Sequence, residues 1–148
     1  MGSWGEGDEC YSWFHTGQVT LDYKGVAVLK EFSPDKFAIE FHGEGTITVV
    51  NHKPYEIPMY IGFMAFLKNY PPTRLYFEDG TVELINTLNA HVPGHINRMQ
   101  RVGVAKPGKN IIRIQPNMDK KLYLLPFRLT KVVLCNAGTY EVVNPALN

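Results

Sequence analysis

What most restricts the fold of this chain is its punctuation. Short alternating or β-branched apolar runs recur roughly every 8–12 positions, each cut off by Gly, Pro, Asn or Asp too early for a helix. Residues 18–23 alternate, Lys24-Gly25 reads as a turn, and residues 26–32 form the next run. Ser33-Pro34-Asp35-Lys36 fits a type I turn with Pro at its second position. Phe37, Ile39 and Phe41 then share one strand face opposite Glu40 and His42, and Gly43-Glu44-Gly45 reads as a turn into residues 46–50. Residues 74–77 and 81–85 flank Glu78-Asp79-Gly80, the signature of a primed hairpin turn. Runs at 109–115, 121–125, 127–134 and 139–143 bring the total to about ten candidate strands, the last two joined by a turn at Asn136-Ala-Gly138.

Thirteen Gly, ten Pro and 12% aromatic residues in 148 positions agree with many short elements. The expected fold is therefore all-β, mainly antiparallel, a sandwich or jelly roll with little helix. It fills a single domain over 1–148, with residues 1–16 as an extended N-terminal arm. One helix candidate, 60–69, contains Gly62 and reads equally as a buried strand, and Pro71-Pro72 ends it in either case. Residues 88–99, broken by Pro93-Gly94, are the main loop candidate.

The longest uncharged apolar run, 57–67, falls short of the roughly 20 residues a membrane helix needs. Its near-continuous apolar character favours core packing; if exposed, its Met and aromatic residues would make an interface. The N-terminus is acidic and lacks the basic region of a secretory signal, and Glu6 stands where a myristoylation pattern wants Ser or Thr. Cys10 and Cys135 are too few for a disulfide framework. They read as two free thiols, with one bridge tying the chain ends together as the alternative.

A net charge of +1 conceals an asymmetry. Residues 98–131 carry nine basic groups against Asp119 alone, whereas residues 1–97 carry six basic and twelve acidic groups. Such a chain can dock acidic surface on basic surface and close into a ring, or lie along phosphates. It can also interleave the two sets in space as solvated faces. For assembly, the expected basic contacts are Arg98, Arg101, Lys106 and Lys109, and the acidic ones Asp8, Glu9, Glu78 and Asp79.

Catalytic and metal signals are weak. His91 and His95 have i,i+4 spacing, but Pro93-Gly94 breaks the helix that would aim them together, so they read as two loop histidines and no metal is expected. Ser3, Ser12 and Ser33 lie in no nucleophile elbow, and Lys106-Pro-Gly-Lys109 is a turn instead of a phosphate loop. Asp35, Glu40 and Glu44 read as solvated carboxylates. No catalytic residue and no cofactor is expected. Tyr11 and Trp13, on one face of an N-terminal strand near Trp4, have the ring chemistry to stack on sugars, with core packing as the alternative.

A strand ending in Asn (Thr46-Ile-Thr-Val-Val-Asn51), an acidic turn between strands (Leu75-Tyr-Phe-Glu-Asp-Gly-Thr-Val82) and a late Lys106-Pro-Gly-Lys-Asn110 turn into a strand together cover about half the chain. This resembles the galectin-like sandwich of tailed-phage distal tail and adaptor proteins. The resemblance implies a non-enzymatic structural protein of a virion, a tail or head–tail component that packs into a ring with itself or other virion proteins. A carbohydrate-binding module using Trp4, Tyr11 and Trp13, for instance on a host-surface glycan, is the alternative. Nucleic-acid binding by residues 98–131 comes third.

Overall fold

Nine strands carry the described chain. They are β1 (Cys10–Ser12), β2 (Thr20–Ser33), β3 (Lys36–Asn51), β4 (Ile57–Ala65), β5 (Thr73–Phe77), β6 (Val82–Ile85), β7 (Ile96–Ala105), β8 (Gly108–Pro116) and β9 (Phe127–Cys135). The structure is a computed structural model that describes residues 9–13, 19–34, 36–66, 70–88 and 94–136, and no helix occurs among them. All pairings between these strands are antiparallel, in the order β6-β5-β8-β3-β9-β4-β7, with β2 on β3 and β1 on β9. The all-β antiparallel expectation holds.

β3 makes this a sandwich. Its first part pairs Ile39–Phe41 with Leu129–Phe127 of β9, and its second part pairs Gly45–Asn51 with Ile114–Gly108 of β8. One strand thus serves two layers, and the alternating residues Ile39, Phe41, Ile47 and Val49 all enter one core. Ile61 and Phe63 of β4, Leu75 of β5, Ile112 and Ile114 of β8, and Phe127 and Leu129 of β9 complete its centre.

The handover between layers requires glycine. Gly25 of β2 has φ +101°, and a Cβ there would stand 2.5 Å from the Gly45 Cα. A Cβ on Gly45 would stand 2.6 Å from the Lys24 carbonyl oxygen. The register slips here, so that Gly25↔Gly45 is followed by Ala27↔Phe41. The turns expected at 24–25 and 43–45 are therefore a crease in two continuous strands. Glycine marks close backbone approach as readily as it marks a reversal.

Other expectations resolve in detail. The 74–85 hairpin forms, but its turn is not primed: the Gly80 N–H donates to the Phe77 carbonyl at 3.1 Å and the Phe77 N–H to the Thr81 carbonyl at 2.9 Å, so Glu78-Asp79-Gly80 is a three-residue loop closed by Gly80 at φ +89°. Residues 57–65 are a central strand, β4: Ile57, Met59, Ile61, Phe63 and Ala65 join the main core, and Tyr60 packs on the opposite face with Val133 and Cys135. The strand expected at 121–125 is a loop instead. The Asp119 carbonyl accepts the Leu122 and Tyr123 N–H groups at 3.1 and 2.9 Å, and its carboxylate accepts the Lys121 N–H at 3.0 Å, so a turn replaces a ladder. Residues 96–105 form β7, a strand that the sequence pattern does not mark, and it begins inside the 88–99 loop candidate. The hairpin expected around residues 136–143 lies outside the described residues from 137 onward.

Cys10 and Cys135 are not free thiols. They sit opposite one another on β1 and β9, Cα atoms 4.0 Å apart, and form a disulfide. The alternative of one bridge tying the chain ends together is the one that forms, across a separation of 125 residues. Topology also places part of the basic segment against the acidic one. Basic β8 lies between β5 and β3, and basic β9 between β3 and β4, so cations from late in the chain meet carboxylates from early in it. Arg113 pairs with Glu44 at 3.1 Å and Arg128 with Glu40 at 2.8 Å.

Candidate functional site

On β3 and β9, residues that alternate with the core point away from it. Glu40 lies between Ile39 and Phe41, and Arg128 between Phe127 and Leu129; the register sets Glu40 directly opposite Arg128. The Arg128 Nε donates to Glu40 Oε2 at 2.8 Å, and the carboxylate is almost wholly buried, at 5% exposure. Glu40 is thus no solvated carboxylate; its partner lies 88 residues away, beyond the reach of any local pattern. His42 contacts the other Glu40 oxygen at 3.3 Å.

The network continues from Arg128. Its Nη1 donates to the Tyr70 hydroxyl oxygen at 2.9 Å, and that hydroxyl lies 2.7 Å from His95 Nδ1. With its oxygen accepting from arginine, the hydroxyl is free to donate to a neutral His95. Burial pushes the Tyr70 phenol above its ordinary value, partly offset by Arg128. His95 stacks on Phe66 with ring centroids 4.6 Å apart. His95 therefore braces this network; its predicted companion His91 lies outside the described residues. No cluster of three metal-type ligands occurs among the described residues.

This network holds one wall of a groove of about 730 Å³. The tip of the β2–β3 hairpin supplies Phe32, Pro34, Lys36 and Phe37, while Arg128, Thr130 and Lys131 of β9, Met64 of β4 and Asn97 of β7 line the rest. The Arg128 guanidinium lies 4.6 Å from the centroid of the Phe32 ring, which is itself 44% exposed. Thr130 donates to Asn97 Oδ1 at 2.7 Å, which leaves the Asn97 amide group to donate into the groove. That bond passes over β4 at Gly62, where a Cβ would stand 3.0 Å from Thr130 Oγ1 and 2.9 Å from Lys131 Cβ. The groove combines one exposed ring with converging polar groups, at a volume usual for small-ligand sites.

The residues singled out from sequence lie elsewhere. Tyr11 and Trp13 share a face as expected, but that face is half-buried against the core. The Tyr11 hydroxyl donates to Glu9 at 2.7 Å, Lys53 Nζ lies 5.2 Å from its ring centroid, and Tyr11 helps line a separate pocket of about 210 Å³. Trp4 and Asp8 lie outside the described residues. Glu9 also accepts the Tyr55 hydroxyl. Arg98 donates to the Leu88 carbonyl at 2.7 Å; Arg101, Lys106 and Lys109 are exposed on β7, the turn after it and β8. Glu78 accepts the Ile111 N–H at 2.8 Å, and Asp79 accepts the Thr81 N–H at 2.9 Å. Of the groove, Pro34 and Lys36 belong to the expected turn, Phe37 to the alternating strand, Met64 to the apolar run 57–67, and Arg128 and Lys131 to the basic segment 98–131, with no sequence pattern that joins them. Glu40 and Arg128 each fill the polar position of an apolar alternation, the one local sign of a charge aimed outward from a central strand.

No protein-family model matches the chain, and no curated protein sequence does. Solved structures do share its fold. A GH26-CBM35 β-(1,4)-mannanase from Podospora anserina superposes with a TM-score of 0.53 at 11% identity over 93% of this chain, which spans only 29% of that one. A family 35 carbohydrate binding module from Clostridium thermocellum superposes with a TM-score of 0.50 at 15% identity, covering 85% of this chain and 98% of the module. An exo-β-1,3-galactanase from Phanerochaete chrysosporium, in complex with β-1,3-galactotriose, gives a TM-score of 0.50 at 15% identity over 84% of this chain and 29% of its own. At these identities the likeness is one of fold.

These neighbours overturn the resemblance to phage distal tail and adaptor proteins, and with it the expected virion role and ring assembly. The residues that carried the resemblance close turns. Asn51 donates to the Tyr55 and Ala105 carbonyls, and Asn110 accepts the Lys106 N–H and donates to the Gly108 carbonyl. Any antiparallel sandwich with tight turns has use for such side chains.

Proposed function

We propose that this chain is a non-catalytic carbohydrate-binding module whose ligand lies in the groove between the β2–β3 hairpin tip and the outer face of β9, β4 and β7. The observation that carries this reading is the Phe32 ring, exposed yet held by Arg128 beside Asn97, Thr130 and Lys131. A sugar ring has an apolar C–H face and a rim of hydroxyls; the first suits Phe32 and the second suits the donors of Arg128, Asn97 and Lys131. The fold shared with a family 35 carbohydrate binding module supports it. The Cys10–Cys135 disulfide suits the oxidising surroundings in which polysaccharides are met.

The test is a glycan array followed by calorimetry on the best hit. Phe32→Ala should lower affinity at least about tenfold, the loss of a stacked aromatic contact, and leave the fold unchanged. Trp13→Ala should leave affinity close to that of the native chain. An array without hits, or a bound glycan indifferent to Phe32→Ala, removes the proposal; dependence on Trp13 alone moves the site to the β1 edge.

A further inference from the structure

The loop of residues 117–126 between β8 and β9 turns apolar side chains outward. Met118, Leu122 and Leu124 are 45%, 58% and 74% exposed, and Leu124 is the most exposed large apolar side chain among the described residues. Looseness does not explain this. The Asn117 N–H donates to the Pro72 carbonyl at 2.9 Å, Asn117 Oδ1 accepts the Asp119 N–H at 3.0 Å, and Asp119 closes the turn through the backbone of Lys121, Leu122 and Tyr123. A fixed turn that displays leucines has forgone the burial available to them.

Beside the leucines stand Lys120 and Lys121, both exposed, and neither forms an ion pair among the described residues. The loop's one carboxylate, Asp119, already accepts a backbone N–H. We propose that this loop docks the chain on an anionic lipid bilayer, with Leu122 and Leu124 entering the headgroup–acyl boundary and Lys120 and Lys121 against lipid phosphates. Adjacent leucines and lysines match the chemistry of such a surface, an apolar layer beneath a negatively charged one. The inference is independent of the sugar groove, since none of the loop's residues lines it.

Flotation of the full chain with vesicles of phosphatidylcholine alone, or containing phosphatidylserine, tests it. Binding is expected on the anionic vesicles, weakening as salt rises. Leu122→Ser with Leu124→Ser should abolish it, and Lys120→Gln or Lys121→Gln should each weaken it about fivefold, the effect of one surface cation near such a membrane. Leu124→Trp supplies a positive readout: its emission should shift to the blue when anionic vesicles are added. Circular dichroism on each variant separates loss of docking from loss of fold. The proposal is overturned if the native chain ignores both vesicles, if the double serine variant still floats, or if the leucines instead mediate self-association that serine removes.

Discussion

Phe32 can present an open ring because of side chains it does not border in sequence. Arg128 lies over the ring and is itself oriented by buried Glu40 and by Tyr70. Removing one partner of a buried pair strands the other charge, so Glu40→Ala should cost about 3–5 kcal/mol in urea unfolding and loosen the groove wall. A second residue pair gives a pH signature. The hydrogen bond to Glu9 pushes the Tyr55 phenol from 10.0 up to about 12, and the same bond, with that from Tyr11, lowers the Glu9 carboxyl from 4.5. The raised phenol favours the folded state below pH 10 and loses that contribution as pH climbs towards 12. The lowered carboxyl contributes above pH 4.5 and loses its share as pH falls below it. Absorbance titration at high pH should show the Tyr55 phenol ionising late, and Glu9→Gln should return it towards 10 while leaving the raised Tyr70 phenol unaffected.

Strands were readable where their neighbours did not matter. The alternation of 37–41, the reversal at 78–80 and the β-branched run of 46–50 each act through local sterics, and each stands in the fold, though the reversal is a three-residue loop where Asp79-Gly80 alone implies a primed turn. Glycines at 25, 43 and 45 were visible but ambiguous, because a reversal and a crease make the same local demand for a missing Cβ. Gly45→Ala separates the two. It would force a Cβ to 2.6 Å from the Lys24 carbonyl, so it should destabilise by well over ~1 kcal/mol in chemical denaturation. An alanine in an open turn with ordinary φ would cost far less. Residues 121–125 show the converse failure: their apolar composition implies a strand, and the Asp119 turn overrides it.

Across the whole molecule, the ends of the described chain are joined. A bridge closing so long a loop restricts the unfolded chain strongly, so Cys10→Ser with Cys135→Ser, or reduction, should lower unfolding stability by about 2–5 kcal/mol, read as a drop in Tm. Topology also decides the electrostatics, by threading the basic strands β8 and β9 among those from the acidic part. By itself the sequence determined that this would be an antiparallel β protein, the limits of β5, β6, β8 and β9 to within a residue, and the apolar face of 37–41, because those follow from periodicity and turn chemistry within a few residues. Only the tertiary structure decided that Glu40 meets Arg128, that Cys10 meets Cys135, that charge is interleaved, and that Phe32 and Asn97 share a groove. Those are pairings between distant strands, and local alternation shows which way a side chain points without showing which strand lies beside it.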